Sequence, residues 1–330
     1  MARLAAAFAS SHSVMLTCSL NDWQRGFRTY DLDGVFHDSA GHPRAYAEIL
    51  AMAPPDARER VTDEAIASRY AAVHEAMGIL REKIARARLD ALVIVGDDQR
   101  ELFRDTLMPS IGVYYGSTIR NAAAQDLPAS EWYRRAQMRR LEDGQERNYP
   151  VHAGMAQHFI KGLIEGGFDV AALKGLSEGQ YEGHAFSFVH RTYLGGMDLP
   201  IIPIFLNTFF PPNQPTPRRC LALGAALRGL IESFPDDLNV GVLASGGLSH
   251  FRAEEDLDLA VIEALRRKDH DMLARLDPKR LQSGSSEIRN WIVLAGATAG
   301  FNLDWVSYTP AYRTEALTGT GLAFAAWTRA

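Results

Sequence analysis

Cysteine is scarce in this sequence, since Cys18 and Cys220 are the only two among 330 residues. Two cysteines cannot build a disulfide framework, and so low a content is typical of proteins from a reducing compartment. We therefore expect a cytoplasmic protein. A dinucleotide-binding fingerprint and a phosphate-binding P-loop are also missing, and we interpret the glycines of SGGLS (245–249) as a tight turn instead of a phosphate site.

Long apolar runs and a strong charge balance are absent as well. No stretch of about 18 residues is apolar throughout, so we predict no membrane-spanning helix. The N-terminal segment has one arginine and a short apolar run, but His12 and the lack of a convincing cleavage site argue against a signal peptide. A formal net charge of −5 predicts no basic surface for nucleic acid.

What is present is the alternation of helix-like and strand-like segments that is typical of an α/β protein. Between Ile66 and Ile84 apolar residues recur every three or four positions and predict a helix over 63–88. The apolar run 91–95 that follows predicts a strand buried on both faces. The further predicted elements are strands at 3–9, 200–209 and 239–244, and helices at 152–165, 217–234, 255–277 and 287–297.

These elements predict a single domain over residues 1–330, with a central, mostly parallel sheet flanked by helices. Two segments interrupt the alternation. Residues 17–60 are mixed in character and are interpreted as a long ordered excursion, and residues 116–149 are rich in polar side chains and are interpreted as an insertion or lid.

Polar side chains follow the predicted strands. One histidine at such a position is usually a hydrogen-bonded structural residue. Several polar strand ends in one α/β sheet favour a ligand site, because the carboxyl ends of parallel strands meet at the same edge. The residues concerned are His12, Asp97, Asp98, Gln99, Asn207, Thr208 and His250.

Several stretches resemble the class III extradiol ring-cleaving dioxygenases, and above all the catalytic subunit of protocatechuate 4,5-dioxygenase. SSHSVML (10–16) is similar to the family's SSH-x-P opening, and SGGLSHF (245–251) is similar to its GGMSH segment. Residues 207–240 resemble that subunit nearly end to end. GHAF (183–186) and SGSSEIRNW (283–291) resemble its second histidine segment and its glutamate segment. The resemblance is strong from about residue 150 to residue 327.

The resemblance implies a non-haem Fe(II) enzyme that opens a catecholic or gallate-like ring beside its hydroxyls and incorporates dioxygen. It implies that His12 and Glu287 bind the iron, and that His250 is the acid–base histidine. His184 would hydrogen-bond the substrate or an oxygen-bearing intermediate. A histidine suits the chemistry because its pKa lies near neutrality, so that it can take a proton from the catechol and return it later.

Gln99 departs from the family pattern, in which a histidine ligand closes an NDH or DDH tripeptide; here the tripeptide is Asp97-Asp98-Gln99. Three interpretations remain open. Gln99 binds the metal through its amide oxygen, more weakly than an imidazole. Another residue completes the site, the candidates being Asp97, Asp98, His37 and His42. Or the site is poor in metal, and the chain is a non-catalytic or different-metal homologue.

The remaining expectations concern substrate and partners. Asn207 and Thr208 at a strand end, and Arg313 as a bidentate partner for a carboxylate, are candidates for substrate binding. The length of the chain resembles the gallate and 3-O-methylgallate branch more than the two-subunit enzyme. We therefore hypothesise that residues 17–60 and 116–149 cover the active site, as a small separate subunit does elsewhere. A homo-oligomer is expected.

Overall fold

The computed structural model describes residues 1–329, and a nine-stranded mixed sheet forms its centre, with β12 joined to the rest only through β13. The order across the sheet is β11-β13-β1-β10-β4-β9-β5-β8. Its strands are β1 (Arg3–Ser10), β4 (Ala91–Asp97), β5 (Ile111–Tyr114), β8 (Ala171–Leu173), β9 (Ile201–Leu206), β10 (Asn239–Ser245), β11 (His250–Arg252), β12 (Phe301–Tyr312) and β13 (Thr318–Arg329). Two small hairpins pair β2 (Val35–His37) with β3 (Pro43–Ala45) and β6 (Thr118–Asn121) with β7 (Arg147–Pro150).

Helices cover both faces of this sheet. They are α1 (Phe27–Tyr30), α2 (Tyr46–Ala51), α3 (Asp63–Arg86), α4 (Trp132–Met138), α5 (Ala153–Glu165), α6 (His184–Val189), α7 (Pro217–Ser233), α8 (Glu255–Arg267), α9 (His270–Ala274) and α10 (Ile288–Ala297). Short 3-10 and π turns join several of them, including the 3-10 turn Ser283–Glu287 that leads into α10. Within residues 1–329 no helix has the length and apolarity needed to cross a membrane.

The alternation of side chains along β4 explains how one sheet holds two cores. Val93 and Val95 pack into the core that contains α5, α7 and α10, whereas Leu92 and Ile94 face the core that contains α3 and α6. Successive side chains of a strand point to opposite faces, so a strand between two helical layers must be apolar at every position. All seven residues of β4 are buried, as this requires.

Parallel pairing brings the functional strand ends together. β1, β10, β4 and β9 lie side by side and parallel, and antiparallel strands flank them on both sides. Ser10 pairs with Ser245, and Ala244 pairs with Val95, so the carboxyl ends of β1, β10 and β4 are level. The predicted α/β class, with its largely parallel central sheet and flanking helices, is confirmed.

Two features of the sequence prediction need correction. The helix predicted over 255–277 is divided into α8 and α9, because Lys268 adopts a left-handed conformation with φ of 58° that ends the first helix. The long hairpin of β12 and β13 was not predicted. The residues of β13 are mainly small, and the two-residue alternation is weak there, so the pattern carries little strand signal.

The two long segments contain only short elements. Residues 17–60 carry α1, α2 and the β2–β3 hairpin, and residues 116–149 carry β6, α4 and the beginning of β7. The division of the chain into one domain with an excursion and a lid stays a prediction.

Candidate active site

A cavity of about 330 Å³ opens at the carboxyl ends of β1, β4 and β10. This volume lies within the range of small-molecule sites, about 300–1,000 Å³. Its wall combines titratable groups with a few aromatic side chains, which are contributed by distant parts of the chain. The lining residues are His12, Ser13, Val14, Thr17, Gln99, Glu101, Tyr133, Gln137, Arg140, Tyr181, His184, Phe188, His250, Phe251 and Glu287.

His12 follows β1 and presents one ring nitrogen to this cavity. Its Nδ1 lies 3.0 Å from the hydroxyl of Ser245, and that hydroxyl donates its own hydrogen to the carbonyl of Ala185. Nδ1 must therefore carry the imidazole proton, which leaves Nε2 with a lone pair. His12 Nε2 is buried and has no hydrogen-bond partner among residues 1–329. A nitrogen in this state is suited to binding a metal.

Two buried carboxylates approach this nitrogen. Glu287 Oε2 lies 3.2 Å from His12 Nε2 and accepts a hydrogen bond of 2.6 Å from the amide of Gly247. Asp97 Oδ1, at the end of β4, lies 3.6 Å from the same nitrogen. Burial opposes ionisation of Glu287, but His12 and His250 outweigh it and hold its pKa well below the usual range. Burial and the Glu287 carboxylate raise the pKa of Asp97.

His184 begins α6 and is held by a carboxylate. Its Nδ1 lies 2.7 Å from Glu101 Oε2, and its backbone amide donates to the other oxygen of Glu101 at 3.0 Å. Its Nε2 points to Asp97 Oδ2 at 3.7 Å. Burial alone would lower the pKa of His184, but Glu101 and Asp97 outweigh it and raise it to about 9. Burial likewise opposes ionisation of Glu101, whose pKa His184 and Arg140 nevertheless lower to about 2.

His250 is fixed in the same manner on the opposite side. Its Nδ1 lies 2.9 Å from the carbonyl of Leu248 and must donate to it, so Nε2 again has the lone pair. Nε2 lies 3.9 Å from Glu287 Oε2. Burial lowers the pKa of His250, which keeps the ring neutral near pH 7. The three histidines therefore all present Nε2 to the cavity, with Nδ1 occupied elsewhere.

Two glycines make room for the His250 ring. A Cβ atom on Gly247 would stand 2.1 Å from Cε1 of His250, and one on Gly284 would stand 2.2 Å from its Cβ. Neither glycine has a positive φ. The interpretation of Gly247 as a tight-turn residue is therefore incomplete, because close packing against the histidine also requires glycine there.

Two of the candidates for the missing histidine ligand, Gln99 and Asp97, lie near the cluster. Gln99 is at the rim, where its Nε2 is 3.4 Å from Asp97 Oδ2 and 3.5 Å from Glu287 Oε1. The Asp97 carboxylate lies between His12 and His184, and these three residues form the group whose ligand atoms lie within 4.8 Å of one another.

Asp98, His37 and His42 do not contribute to the cavity wall. The Asp98 carboxylate accepts hydrogen bonds from the amides of Leu102 and Phe103, at 2.8 and 3.2 Å, and so caps the following turn. Burial raises the pKa of Asp98 to about 6. His42 is largely exposed beside Asp38 in the excursion, and His37 does not line the cavity either.

The structure does not bring the three expected substrate-binding residues to the cavity lining. Asn207 uses its amide on Phe210 and Asn213 in its own loop. Thr208 follows it and is buried there. Arg313 forms a buried ion pair of 3.0 Å with Asp31. The local bonding of Asn207 and the long-range partner of Arg313 account for both residues without a ligand.

Sequence reasoning missed three residues that shape the site. Ser245 sets the tautomer of His12, Glu101 orients His184, and Arg140 contacts Glu101 at 3.3 Å. Ser245 stands directly after the predicted strand 239–244, a position that could have marked it, whereas Glu101 lies several residues beyond the end of the predicted strand 91–95. Arg140 comes from the polar segment 116–149, where no local pattern singles it out.

Comparisons with known proteins agree with this geometry. The family model described as the catalytic LigB subunit of aromatic ring-opening dioxygenase matches residues 80–323. Gallate dioxygenase of Pseudomonas putida is 34% identical over 116 residues, which is 33% of this chain and 32% of that protein. The 2,3-dihydroxyphenylpropionate/2,3-dihydroxicinnamic acid 1,2-dioxygenase of Comamonas testosteroni is 28% identical over 209 residues, 62% of this chain and 54% of that protein. The chain thus matches about a third of the first relative and about half of the second.

Proposed function

Because the chain belongs to the family of catalytic LigB subunits of aromatic ring-opening dioxygenases, we propose that it catalyses Fe(II)-dependent extradiol cleavage of a catecholic or gallate-like ring. Both atoms of dioxygen enter the ring-opened product. The observation that carries the proposal is the meeting of three histidines and the buried carboxylate of Glu287 in one cavity, with the buried carboxylate of Asp97 beside His12 and His184. By their names, the two relatives act on gallate and on 2,3-dihydroxyphenylpropionate or 2,3-dihydroxicinnamic acid.

The residues present fit a divalent metal. His12 supplies a buried nitrogen that has no hydrogen-bond partner among residues 1–329, and Glu287 supplies a carboxylate at 3.2 Å from it. Nitrogen and oxygen ligands of this kind are typical of non-haem Fe(II) sites with open positions. We propose that His12 and Glu287 hold the iron, with the third protein position open between Gln99 and its neighbours. When bound, Fe(II) supplies the redox chemistry that activates dioxygen beside the chelated diol.

His250 and His184 have complementary proton states in this proposal. His250 is neutral and its Nε2 has a lone pair, so it can accept a proton from a catechol hydroxyl and later return it. His184 carries a proton, because Glu101 and Asp97 favour the imidazolium, and it can donate a hydrogen bond to the reacting oxygen. Acid–base sites typically contain neighbouring titratable groups whose environments shift their pKa values in opposite directions.

Arg140 supports an acidic substrate. It is the single arginine or lysine among the residues that line the cavity, and its Nη2 contacts Tyr181 and Glu101 at 3.0 and 3.3 Å. Phe188, Tyr133 and Phe251 add aromatic surface for a ring. Gallate-like substrates carry a carboxylate, for which a guanidinium is a suitable partner.

The alternative proposal is that the chain is a homologue that binds another metal or none. Gln99 favours this alternative, because the family pattern has a histidine ligand at its position. Anaerobic reconstitution with Fe(II), metal quantification and oxygen uptake with protocatechuate, gallate, 3-O-methylgallate and catechol separate the two. We expect about one iron per chain and oxygen uptake with at least one aromatic. His12→Ala and Glu287→Ala should each lose the iron. Wild-type protein that holds iron but takes up no oxygen with any member of the panel contradicts the dioxygenase proposal.

Three further expectations stay predictions. The free, buried thiols of Cys18 and Cys220 agree with a reducing, cytoplasmic location. A homo-oligomer is proposed from the habit of the family that the sequence resembles. The third expectation is a small separate subunit, which would cover the active site if residues 17–60 and 116–149 do not.

A further inference from the structure

The carboxylate of Asp97 is buried and makes only long contacts with other side chains. Its side chain has no exposed surface, yet the polar side chains around it stand at 3.4 Å or more. His12 Nε2 lies at 3.6 Å, His184 Nε2 at 3.7 Å, and the amide nitrogens of Gln99 and Asn290 lie at 3.4 Å. Ordinary hydrogen bonds of these types span about 2.7–3.2 Å. A buried carboxylate needs close hydrogen bonds or a cation, since isolated burial of the charge is costly.

A second, independent observation comes from His12. Its Nδ1 donates to Ser245, and its Nε2 is buried without a hydrogen-bond partner in the described part of the chain. It lies between Asp97 Oδ1 and Glu287 Oε2, at 3.6 and 3.2 Å. His12 Nε2 thus lies within 4 Å of one oxygen from each of two buried carboxylates. Two ligand atoms at right angles on one small cation are separated by about 3 Å, so a shared cation suits this spacing.

We propose that Asp97 supplies the protein ligand that a histidine supplies in the family pattern, so that His12, Asp97 and Glu287 hold one divalent cation. This inference rests on the proposed function for the nature of the metal. Two carboxylates and one imidazole form a set rich in oxygen, which favours Fe(II) or Mn(II) over softer ions.

Gln99 has a different role in this arrangement. It is exposed, whereas Asp97 is 1% exposed. Its amide nitrogen faces the oxygens of both Asp97 and Glu287, at 3.4 and 3.5 Å. An amide between two carboxylates turns its NH₂ group toward them, because its oxygen would be repelled. Gln99 therefore orients the ligands from the rim as a positioning residue, and Asn290 does the same from the buried side.

The test compares Asp97→Asn with Gln99→Ala in metal-free protein under anaerobic conditions. Co(II) binding is followed by its visible absorption, and Fe(II) retention is measured after gel filtration. Asp198→Asn is the matched control, because it makes the same substitution at an exposed carboxylate on the surface. Thermal unfolding of each metal-free variant reports on folding.

Wild-type protein and Asp198→Asn should bind one Co(II) per chain with equal affinity. Asp97→Asn should weaken binding by at least about 100-fold, since even residues that only orient ligands contribute about 10–100-fold. Gln99→Ala should weaken it by about 10-fold, at the low end of that range, because the contacts of Gln99 with the two carboxylates are long. Metal-free Asp97→Asn should unfold at no lower temperature than metal-free wild type, because the substitution removes a buried carboxylate whose contacts with other side chains are all long. A carboxylate kept only for structural hydrogen bonds would give a lower temperature.

Binding that Gln99→Ala weakens more than Asp97→Asn overturns the inference, as does wild-type protein that binds neither Co(II) nor Fe(II). The proposed function fails separately. If Asp97→Asn loses the metal as expected but iron-loaded wild type takes up no oxygen with the aromatic panel, the ligand set stands and the dioxygenase activity does not.

Discussion

At the scale of single residues, a substitution of His250 tests whether proton transfer and metal binding depend on different side chains. Its Nε2 lies 3.9 Å from Glu287 and faces the cavity, while Nδ1 is held by the carbonyl of Leu248. We expect His250→Ala to retain the metal and to lower kcat by roughly 10²–10⁴-fold, the usual contribution of a general acid–base group. Metal content and oxygen uptake are to be measured on the same sample. Loss of the metal in this variant, with Glu287→Ala retaining it, would reverse the two roles.

The four residues assigned from the family resemblance all line one cavity. The residues that contact them could not be identified from the sequence. His12, His184, His250 and Glu287 are marked by local motifs that survive in a single sequence. The approach of Asp97 to His12 depends on the pairing of β4 with β10 and of β10 with β1, which brings together residues far apart in the chain. A tripeptide read alone cannot show which of its three side chains turns inward.

At the scale of elements, Asp258 joins helix α8 to the loop that directly precedes His250. Its carboxylate accepts from the amide and hydroxyl of Ser249, at 2.8 and 2.7 Å, and from the hydroxyl of Tyr308 in β12 at 2.8 Å. Burial raises the pKa of Asp258 to about 7, well above its usual range. The folded protein therefore binds this proton more tightly than the unfolded chain does.

The pH dependence of stability follows from that shift. A raised folded-state pKa contributes stability that is complete below about pH 4 and is lost as the pH rises to about 7. Asp258→Asn removes this titration, so the difference in unfolding free energy between wild type and variant should fall over that interval and then stay level. The loss at low pH should be roughly 1–3 kcal/mol, because hydrogen bonds to buried partners are weakened. Urea titrations at several pH values measure it; a difference that does not change with pH would refute the assignment.

Arg313 connects the excursion to the hairpin of β12 and β13. Its guanidinium lies 3.0 Å from Asp31 and 4.4 Å from the ring of Phe27, and both members of the ion pair are less than 5% exposed. Arg313→Met leaves the buried Asp31 carboxylate without its cation and with only the hydroxyl of Thr318 as a donor, which should cost about 3–5 kcal/mol of unfolding free energy. Arg313→Met combined with Asp31→Asn should recover part of that loss. A rise in KM without a change in stability would instead support the substrate-binding role first expected for Arg313.

The periodicity of apolar residues predicted which segments are helices and which are strands. It did not predict where several of them end, or that β12 and β13 form a hairpin. The helix that opens at Asp63 and the strand at Ala91 have strong apolar patterns and lie close to their predicted bounds. The break at Lys268 has no glycine or proline to mark it. The final hairpin is stabilised by pairing of β13 with β1 and β12, and such long-range pairing leaves little trace in a local window.

At the scale of the whole molecule, the chain supplies its own wall over the site. Thr17 begins the excursion, and Tyr133, Gln137 and Arg140 come from the segment 116–149, and all four line the cavity. The excursion is pinned through Asp31, and Arg139 of the second segment donates to the carbonyl of Thr17. A separate small subunit would have to compete with these contacts for the same position.

We therefore expect the purified chain, loaded with Fe(II), to turn over an aromatic substrate without a second protein. Metal content must be measured on the same preparation, so that missing iron is not mistaken for a missing partner. Arg140→Gln should raise KM for a carboxylated substrate and leave KM for catechol nearly unchanged, because it alters one wall of the cavity and no proposed metal ligand. Iron-loaded chain that stays inactive until a small partner is added would show that these segments do not replace the covering subunit.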